Sequence, residues 1–381
     1  MGDYLKEGVL VASFELIEKH GGHEEVIFCH EKAVGLKAII AIHNTSLGPA
    51  LGGTRMWNYK TEEDALIDVL RLSKGMTYKA AAAGLNLGGG KAVIIGDPKI
   101  HKTEALFRAF GQFVNSLNGK YITAEDVNTS EQDMEYIFME TPWVTGIPKS
   151  LGGSGDPSPY TAHGVLMGIH AVVKEKLNYD GVKGLTVAVQ GLGNVGSNLV
   201  KYLVQGGAKV KVADIDSQKV KAHVEKFGVE AVSTEEIITT PCDVLAPCAL
   251  GAVFNDLTIG QLKCKMIAGG ANNQLAESRH GEALRELGIL YAPDYVTNAG
   301  GLMNVFVELE GYSSDRAFDK TKKVYDNLMK VFQLAKEQNI PTHAAADRMA
   351  EQRMKMIGSL RQKHQGKSSR LFTTLKEMDN R

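Results

Sequence analysis

The sequence predicts an α/β protein with two domains, and three observations support this prediction. Short β-branched runs alternate with stretches that carry apolar residues at helical spacing through most of the 381 residues. The glycine- and proline-rich stretch GGSGDPSP, at 152–159, interrupts this alternation and is typical of a domain boundary. Beyond it, strand and helix patterns alternate again around GLGNVG at 191–196, which predicts a parallel, doubly wound sheet.

The first half of the chain contains two β-branched runs and two amphipathic stretches. GLKAIIAIH at 35–43 and KAVIIG at 91–96 predict buried strands, whereas 62–75 and 105–117 predict helices. YITAED at 121–126 predicts a short strand with an acidic end. This half is therefore expected to form an α/β domain of its own.

The second half begins with a predicted helix at 160–177. Further strand patterns follow in CDVLAPCAL, KMIAGGANN and GILYAPD, and two long helical patterns occupy about 316 to 361. The tail after 362 is polar and basic.

Composition excludes several classes of protein. The net charge of −1 argues against nucleic-acid or membrane-surface partners, and no apolar run is long enough to span a membrane. Four cysteines without a C-x-x-C pair favour a reduced, cytoplasmic protein. The histidine pair His20 and His23 has no cysteine or acidic partner at ligand spacing, so we expect a polar loop and no metal.

The GLGNVG motif predicts a dinucleotide site, because a strand precedes it and a helix follows it. Gly191 would make the tight turn, Gly193 would let the backbone approach a pyrophosphate, and Gly196 would let helix and strand pack closely. Asp214 ends the next strand and would accept hydrogen bonds from ribose hydroxyls, which favours NAD over NADP. The alternative is that the glycines belong to an ordinary turn. The predicted cofactor-binding loop comprises Gly191, Leu192, Gly193, Asn194, Val195, Gly196 and Ser197.

The stretch GLNLGGGK, at 84–91, places a lysine directly after three glycines. A phosphate-binding loop would need glycine at Leu85 and a hydroxyl residue at Ala92, so that interpretation fails. Lys79, Lys91 and Asp126 instead lie among small residues and apolar strands, which favours a functional role over a solvated surface charge. The glycines are expected to let the backbone press close and to carry Lys91 into a cleft where side chains would block substrate.

Seven segments, in order along nearly the whole chain, resemble the glutamate, leucine, valine and phenylalanine dehydrogenases, and most closely the leucine type. They are GPALGGTRM, MTYKAAAAGLNLGGGKAVI, YITAEDVNT, GLGNVG, APCALG, ANNQL and YAPDYVTNAGG. The resemblance implies a substrate-binding and oligomerisation domain at 1–150 and an NAD-binding Rossmann domain at 151–340, with substrate between them. It also implies a C-terminal helix within 341–381 that packs back on the first domain, and a homo-oligomer, often an octamer.

The resemblance also implies roles for the charged residues. Lys79 would bind the substrate α-carboxylate, Lys91 would be the catalytic lysine, and Asp126 would handle the proton of the amino group. Oxidative deamination transfers hydride from the substrate Cα to NAD and leaves an iminium that water must attack. A lysine that is desolvated beside a second ammonium is expected to have a lowered pKa and to serve as the base for that water.

Further positions follow from the same resemblance. Asn273 and Asn298 would hold substrate and nicotinamide, Thr161 would contact the nicotinamide amide, and Ala246 and Pro247 would line the adenosine side. The positions of the family's side-chain pocket correspond to Leu51, Gly52, Met76, Ala124, Glu125, Leu302 and Val305.

The identity of the substrate side chain rests on a few of these positions. Glutamate enzymes usually carry a lysine where Leu51 stands, so an apolar L-amino acid is expected. Ala124 and Glu125 are of the leucine type, whereas Leu302 is closer to the phenylalanine enzymes, which leaves leucine, valine and phenylalanine open. Two other classes are a non-catalytic NAD sensor, which would need no lysine pair, and a structural α/β protein, which would need none of these features.

Overall fold

A computed structural model gives the fold of residues 13–362. Packing divides these residues into two units, and each unit has a six-stranded sheet of its own. The first unit takes in the described residues up to Thr77 and then Leu87–Val144; the second takes in Tyr78–Asn86 and the described residues from Thr145 onward. Between residues 13 and 362, no helix is both long and apolar enough to cross a membrane. The domain limits proposed from the sequence, at 150 and 340, stay predictions.

The sheet of the first unit is mixed. Its strands are β1 (Glu25–Glu31), β2 (Leu36–Asn44), β3 (Ala50–Leu51), β4 (Thr54–Trp57), β5 (Gly88–Ile95) and β6 (Tyr121–Ile122). They are ordered β1-β2-β5-β3-β6, and β4 pairs with the second half of β5. β2 runs antiparallel to both β1 and β5, and the other pairs are parallel. β5 therefore lies in the middle of the sheet and begins within the glycine run, earlier than the predicted start at 91.

Helices cover this sheet with apolar faces. They are α1 (Ser13–Lys19), α2 (Glu62–Ala82), α3 (Glu104–Ser116) and α4 (Glu131–Phe138). Leu66, Val69 and Leu70 of α2 pack with Ile39 of β2 and Val93 of β5 in one buried cluster. α2 continues to Ala82, beyond the predicted end at 75, and its last turn carries Lys79.

The sheet of the second unit is parallel throughout, which confirms the predicted doubly wound arrangement. Its strands are β7 (Thr186–Gln190), β8 (Lys209–Ala213), β9 (Glu230–Ala231), β10 (Cys242–Pro247), β11 (Cys264–Ile267) and β12 (Leu290–Tyr291). Their order is β12-β11-β10-β7-β8-β9, and every pair is parallel. The chain therefore builds outward from β7 first in one direction and then in the other, which creates a topological switch point beside the carboxyl end of β7.

The second unit is rich in helices. They are α5 (Ser158–Leu177), α6 (Asn194–Gln205), α7 (Ser217–Phe227), α8 (Arg279–Glu286), α9 (Asp294–Thr297), α10 (Gly300–Glu308), α11 (Ser314–Thr321), α12 (Lys323–Gln338) and α13 (Thr342–Gln362). The prediction of two helices between 316 and 361 was wrong, because α11 and α12 are separate. The break follows the buried Thr321, whose hydroxyl donates to the carbonyl of Phe318 and contacts the ring of His163. Such side-chain bonds compete with the helical ladder.

The last described helix, α13, packs on residues Tyr78–Asn86 of the same unit. Arg353 Nη1 donates to the carbonyl of Leu85 at 2.7 Å, and the Tyr78 hydroxyl donates to Glu351 at 2.9 Å. The proposed packing of this helix on the N-terminal domain stays a prediction, and the polar tail after 362 lies outside the described residues.

Candidate active site

The first unit brings Lys91 and Asp126 together. Lys91 lies in the middle of β5 and is only 5% exposed, and its Nζ atom is 2.9 Å from Oδ1 of Asp126. The other carboxylate oxygen, Oδ2, accepts from Arg55 Nε at 2.9 Å. The main chain is fixed as well, because the amide of Asp126 donates to Thr129 Oγ1 at 2.9 Å. The half-buried carboxylate of Asp126 thus lies between two cations, and one of them, Arg55, was not identified from the sequence.

The charge state of Asp126 follows from these contacts. Burial by itself would raise the pKa of the carboxyl group, but the charges of Lys91 and Arg55 more than offset that effect and hold the pKa at about 2. Asp126 is therefore ionised at neutral and alkaline pH and can act as a proton acceptor.

The glycine run before Lys91 makes room for other parts of the protein. A Cβ atom on Gly89 would lie 2.1 Å from the amide nitrogen of Thr77 in α2, and one on Gly90 would lie 2.7 Å from the ring of Tyr121. The expectation that the glycines let the backbone press close is therefore confirmed, whereas their effect on the path of a substrate stays a prediction. They allow α2 and Tyr121 to pack directly on β5, which fixes the strand that carries Lys91.

Five positions of the predicted side-chain pocket lie in the first unit: Leu51, Gly52, Met76, Ala124 and Glu125. Leu51 is 2% exposed and ends β3 beside Gly89 of β5. A Cβ atom on Gly52 would lie 1.7 Å from the carbonyl oxygen of Gly90 and 3.3 Å from Met76 Cγ. Ala124 is buried and Glu125 is exposed. Leu51, Gly52 and Met76 thus gather around the same stretch of β5, one to two residues from Lys91.

In the second unit, the glycine motif follows β7 as predicted. Gly191 has a φ of +96°, and a Cβ atom on Gly196 would lie 2.0 Å from the carbonyl oxygen of Gly191. Nothing lies within 4 Å of the position that a Cβ atom would take on Gly193. Gly193 also precedes α6 without a side-chain cap, so the first amides of that helix are available to an anion. These features fit a dinucleotide pyrophosphate.

Asp214 is hydrogen-bonded to the loop of the glycine motif. Its Oδ2 accepts from the amide of Leu192 at 2.6 Å, and its Oδ1 accepts from the amide of Asp216 at 2.8 Å. Burial opposes ionisation of Asp214, but these two amides outweigh it and lower the pKa of the carboxyl group. Each oxygen keeps a second lone pair, so the charged carboxylate can still accept from ribose hydroxyls. The remaining loop residues, Asn194, Val195, Gly196 and Ser197, form the first turn of α6.

In the second unit, Asn298 is hydrogen-bonded to the loop that precedes Gln274. Asn298 is 4% exposed, and its Nδ2 donates to Asn272 Oδ1 at 2.7 Å and to the carbonyl of Gly270 at 3.2 Å. Within the described part of the chain, its Oδ1 is buried without a hydrogen-bond partner. Asn273, with a φ of +53°, is exposed and accepts from the amide of Ala252 through its carbonyl. Asn272 was not singled out in the sequence, although it lies in the ANNQL segment.

The first turn of α5 and the first turn of α10 are in direct contact. A Cβ atom on Gly301 would lie 2.7 Å from Thr161 Oγ1. Leu302 and Val305 follow on α10, where Leu302 is buried and Val305 is half-buried. Ala246 and Pro247 end β10 opposite the last residues of β7. All of these predicted positions therefore belong to the second unit, and Ala246 and Pro247 lie at the carboxyl end of its central strand β10.

Asp294 is a further residue that the sequence analysis missed. Its carboxylate accepts from the amides of Gln274 at 2.9 Å and Tyr295 at 2.6 Å. Burial raises the pKa of Asp294, and the two amides and the charge of Lys79 oppose that rise. Asp294 thus links Lys79 electrostatically to the loop that carries Asn273. Its only sequence signal was its place in the YAPDYVTNAGG segment.

His23, one of the two N-terminal histidines, packs against side chains of α2 and β2. Among residues 13–362, no group of three or more His, Cys, Asp and Glu side chains could hold a metal ion. His23 contacts the Ser73 hydroxyl at 2.8 Å, and its ring packs edge-on against His43.

Comparisons with known proteins agree with this arrangement. Residues 23–143 match the profile of the Glu/Leu/Phe/Val dehydrogenase dimerisation domain. Residues 152–220 and 211–361 match the Glutamate/Leucine/Phenylalanine/Valine dehydrogenase profile. The chain belongs to the Glu/Leu/Phe/Val dehydrogenase family. It is an amino-acid dehydrogenase, an oxidoreductase that acts on a CH–NH₂ group with a nicotinamide cofactor. The alternatives of a non-catalytic NAD sensor and of a structural α/β protein are thereby set aside.

Individual members of the family resemble the chain over most of its length. Leucine dehydrogenase of Geobacillus stearothermophilus is 58% identical over 339 residues, which cover 89% of this chain and 92% of the relative. Phenylalanine dehydrogenase of Thermoactinomyces intermedius is 48% identical over 350 residues, which cover 91% and 95%. The crystal structure of L-tryptophan dehydrogenase from Nostoc punctiforme superposes with a TM-score of 0.81 at 46% identity and covers 91% of this chain and 99% of that one. Because the family's N-terminal domain is a dimerisation domain, the chain forms an oligomer.

Proposed function

We propose that the protein catalyses the reversible, NAD-dependent oxidative deamination of a branched-chain L-amino acid, leucine first, to its 2-oxo acid and ammonium. The observation that carries the reaction type is the pair formed by the buried Lys91 and the half-buried Asp126, with 2.9 Å between Nζ and Oδ1. The similarity to a leucine dehydrogenase supports the substrate.

The residues of the second unit suit NAD. The open backbone at Gly193 and the uncapped start of α6 would take the pyrophosphate, and Asp214 would accept from the adenosine ribose. Thr161 and Asn298 would hold the nicotinamide, and the adenosine would lie along Ala246 and Pro247. The negative charge of Asp214 disfavours the 2′-phosphate of NADP. When bound, NAD accepts the hydride of the substrate Cα, which leaves an iminium on the substrate.

Three charged residues would bind the substrate carboxylate and transfer protons during the reaction. Lys79 would bind the substrate carboxylate. Lys91, once it has lost its proton, would take a proton from the water that attacks the iminium carbon. Asp126, ionised at the working pH, would accept the proton from the amino group and return it as the carbinolamine collapses, so that ammonium and the 2-oxo acid leave. Asn273 would orient the substrate.

The side-chain positions favour an apolar substrate. Leu51, Met76, Ala124, Leu302 and Val305 are apolar, and each methylene that they bury contributes about 0.8 kcal/mol. A glutamate carboxylate in such a site would be desolvated without a partner. L-Phenylalanine is the second candidate, because Leu302 occupies a position at which phenylalanine enzymes carry leucine.

The deciding experiment measures kcat/KM for leucine, valine, phenylalanine and glutamate, each with NAD and with NADP. We expect leucine and NAD to give the highest value. Glutamate in first place would refute the argument from Leu51. Phenylalanine in first place would show that Leu302 outweighs Ala124 and Glu125 in setting specificity.

We also propose that the oligomer is a homo-octamer and that it works in the cytoplasm. Support comes from the family resemblance for the octamer and from the unpaired cysteines for the reducing compartment. Cys29, Cys242, Cys248 and Cys264 are all free thiols. Light scattering coupled to size-exclusion chromatography gives the subunit number, and a dimer or hexamer would refute the octamer.

A further inference from the structure

Arg55 joins two carboxylates that are far apart in the sequence. Its Nε donates to Asp126 Oδ2 at 2.9 Å, and its Nη1 donates to Asp68 Oδ2 at 2.9 Å. Asp68 in turn accepts from the Tyr59 hydroxyl at 2.7 Å and from Arg71 at 3.0 Å. Side chains of β4, of α2 and of the loop between them thus form one connected network with Asp126.

The contacts of this network depend on the planar guanidinium group of arginine. A guanidinium group carries five donors in a rigid plane, so that one side chain can hold two carboxylates in fixed directions at once. A lysine ammonium group at position 55 could bind one of these carboxylates firmly but would leave the other without this partner. The Arg55 side chain is 21% exposed, and those of Asp68 and Asp126 are 16% and 22% exposed. These pairs are therefore less screened than surface ion pairs.

The two oxygens of Asp126 have separate partners. Oδ1 lies against Lys91 and Oδ2 lies against Arg55, so rotation of the carboxylate would break both contacts. The titratable group that faces Asp126 from β6 is Tyr121, whose hydroxyl is buried and donates to the carbonyl of Gly52 at 2.6 Å. Tyr121 stays neutral in that environment, so Lys91 and Arg55 set the electrostatics of the carboxylate.

We propose that Arg55 is a positioning residue for the deamination, which aims the Asp126 carboxylate at Lys91 and keeps it charged. This inference rests on the roles given to Lys91 and Asp126 in the proposed function. Without Arg55, the carboxylate is free to rotate and attracts Lys91 alone. Asp126 is then more easily protonated at low pH, because one of the two cations that oppose its burial is gone.

The test compares Arg55→Gln with Arg71→Gln. Both substitutions remove one positive charge from the Asp68 network, but Arg71 makes no contact with Asp126 and is half exposed. In Arg55→Gln we expect kcat to fall by about tenfold or more, with KM for leucine within about twofold of the parent value. Arg71→Gln should change neither quantity, and an equal fall in kcat for both variants would overturn the proposal.

A second readout does not depend on activity. In protein with ¹³C-labelled aspartate, infrared titration after subtraction of the Asp126→Asn spectrum follows protonation of this one carboxyl group. Between about pH 3 and 6 we expect Asp126 to stay ionised in the parent and in Arg71→Gln, and to take up a proton in Arg55→Gln. An ionised Asp126 throughout that range in Arg55→Gln would overturn the proposal.

The two readouts separate this inference from the proposed function. A parent enzyme that forms no NADH from any amino acid would refute the proposed function, while the infrared titration would still decide whether Arg55 controls Asp126. If Arg55→Gln does not fold, Arg55→Lys replaces it in both measurements. Lysine keeps the charge but cannot bridge both carboxylates, so we expect a reduced kcat with Asp126 still ionised. A parental kcat in Arg55→Lys would overturn the positioning role.

Discussion

The Nζ atom of Lys91 lies 2.9 Å from Oδ1 of Asp126, in the middle of a mixed sheet. β3 pairs with both β5 and β6, and this pairing brings the strand of Lys91 near the loop that begins after Ile122. The pair is therefore fixed by the backbone before any substrate arrives. Preorganised charges of this kind need little rearrangement during a reaction, which is how buried sites stabilise charge that develops in a transition state.

Replacement of Lys91 by alanine should nearly abolish turnover, because it removes the base that would take the proton from the attacking water. NAD binding, followed by NADH or protein fluorescence, should survive, since the glycine loop lies in the other unit. Lys37→Ala is the matched control, because Lys37 lies on the same sheet with an exposed side chain. Turnover of Lys91→Ala within about tenfold of the parent, or about 1.4 kcal/mol of barrier, would contradict the catalytic role.

The rate of deamination should rise from neutral toward alkaline pH. Lys91 must lose its proton before it can act as a base, so a larger fraction becomes active as the pH increases. Asp126 cannot cause this rise, because its pKa of about 2 leaves it fully ionised over the whole range. The measurement is kcat/KM for leucine against pH, and a flat profile between neutral and about pH 10 would argue against the mechanism.

Asp214→Asn should reduce the preference for NAD over NADP. The amide oxygen can still accept a backbone hydrogen bond, but the charge that repels a 2′-phosphate is gone. We expect the change mainly in the KM of the cofactor, with kcat for leucine little affected. Asp216→Asn is a matched control, since asparagine also caps helices well and Asp216 caps α7. An unchanged ratio of kcat/KM for the two cofactors in Asp214→Asn would rule out its role in selection.

Local sequence signals predicted the second unit well. The parallel arrangement of its strands and the turn at Gly191 follow from a pattern in which strand, glycine motif and helix are contiguous. Asp214 also lies where the motif places it, with its carboxylate bonded to the amide of Leu192. The two separate helices α11 and α12 were missed because their apolar spacing continues across the break at Lys322, and only tertiary contacts of Thr321 reveal it.

The partners of the charged residues could not be predicted from the sequence. Arg55 contacts Asp126, 71 residues further along the chain, and Asp294 accepts from the amide of Gln274. Such contacts depend on strand register and loop closure, for which a single sequence holds no local signal. The elements that pack on the glycine run could not be predicted for the same reason, since the atoms that require Gly89 belong to α2.

Gly89→Ala should destabilise the protein, whereas Gly75→Ala should stabilise it. A Cβ atom on Gly89 would lie 2.1 Å from both the amide nitrogen and the hydroxyl of Thr77, so helix and strand must separate, at a cost of about 1 to 3 kcal/mol. Gly75 lies within α2, and nothing is within 4 Å of its Cβ position, so alanine there should contribute about 0.5 to 1 kcal/mol. Urea denaturation measures both changes. Equal stability of the two variants would show that α2 does not pack on β5 in this way.

Asp126→Asn should destabilise the protein at neutral pH by an amount that disappears in acid. The folded-state pKa of about 2 lies below the ordinary value of 3.8, so the carboxylate stabilises the fold above the ordinary pKa, and this contribution is lost as the pH falls through the folded pKa. Its size is about 2 kcal/mol, because one pKa unit corresponds to about 1.4 kcal/mol. The measurement is the free energy of unfolding of parent and variant in urea at a series of pH values.

The difference in the free energy of unfolding between parent and Asp126→Asn should be constant from neutral pH to about pH 5 and should shrink below that value. Asp180→Asn, which removes a carboxylate whose side chain is 82% exposed, should show a difference of less than about 0.5 kcal/mol at every pH. A parent–variant difference for Asp126→Asn that persists unchanged into acid would mean that packing, and not the charge held by Lys91 and Arg55, accounts for the loss.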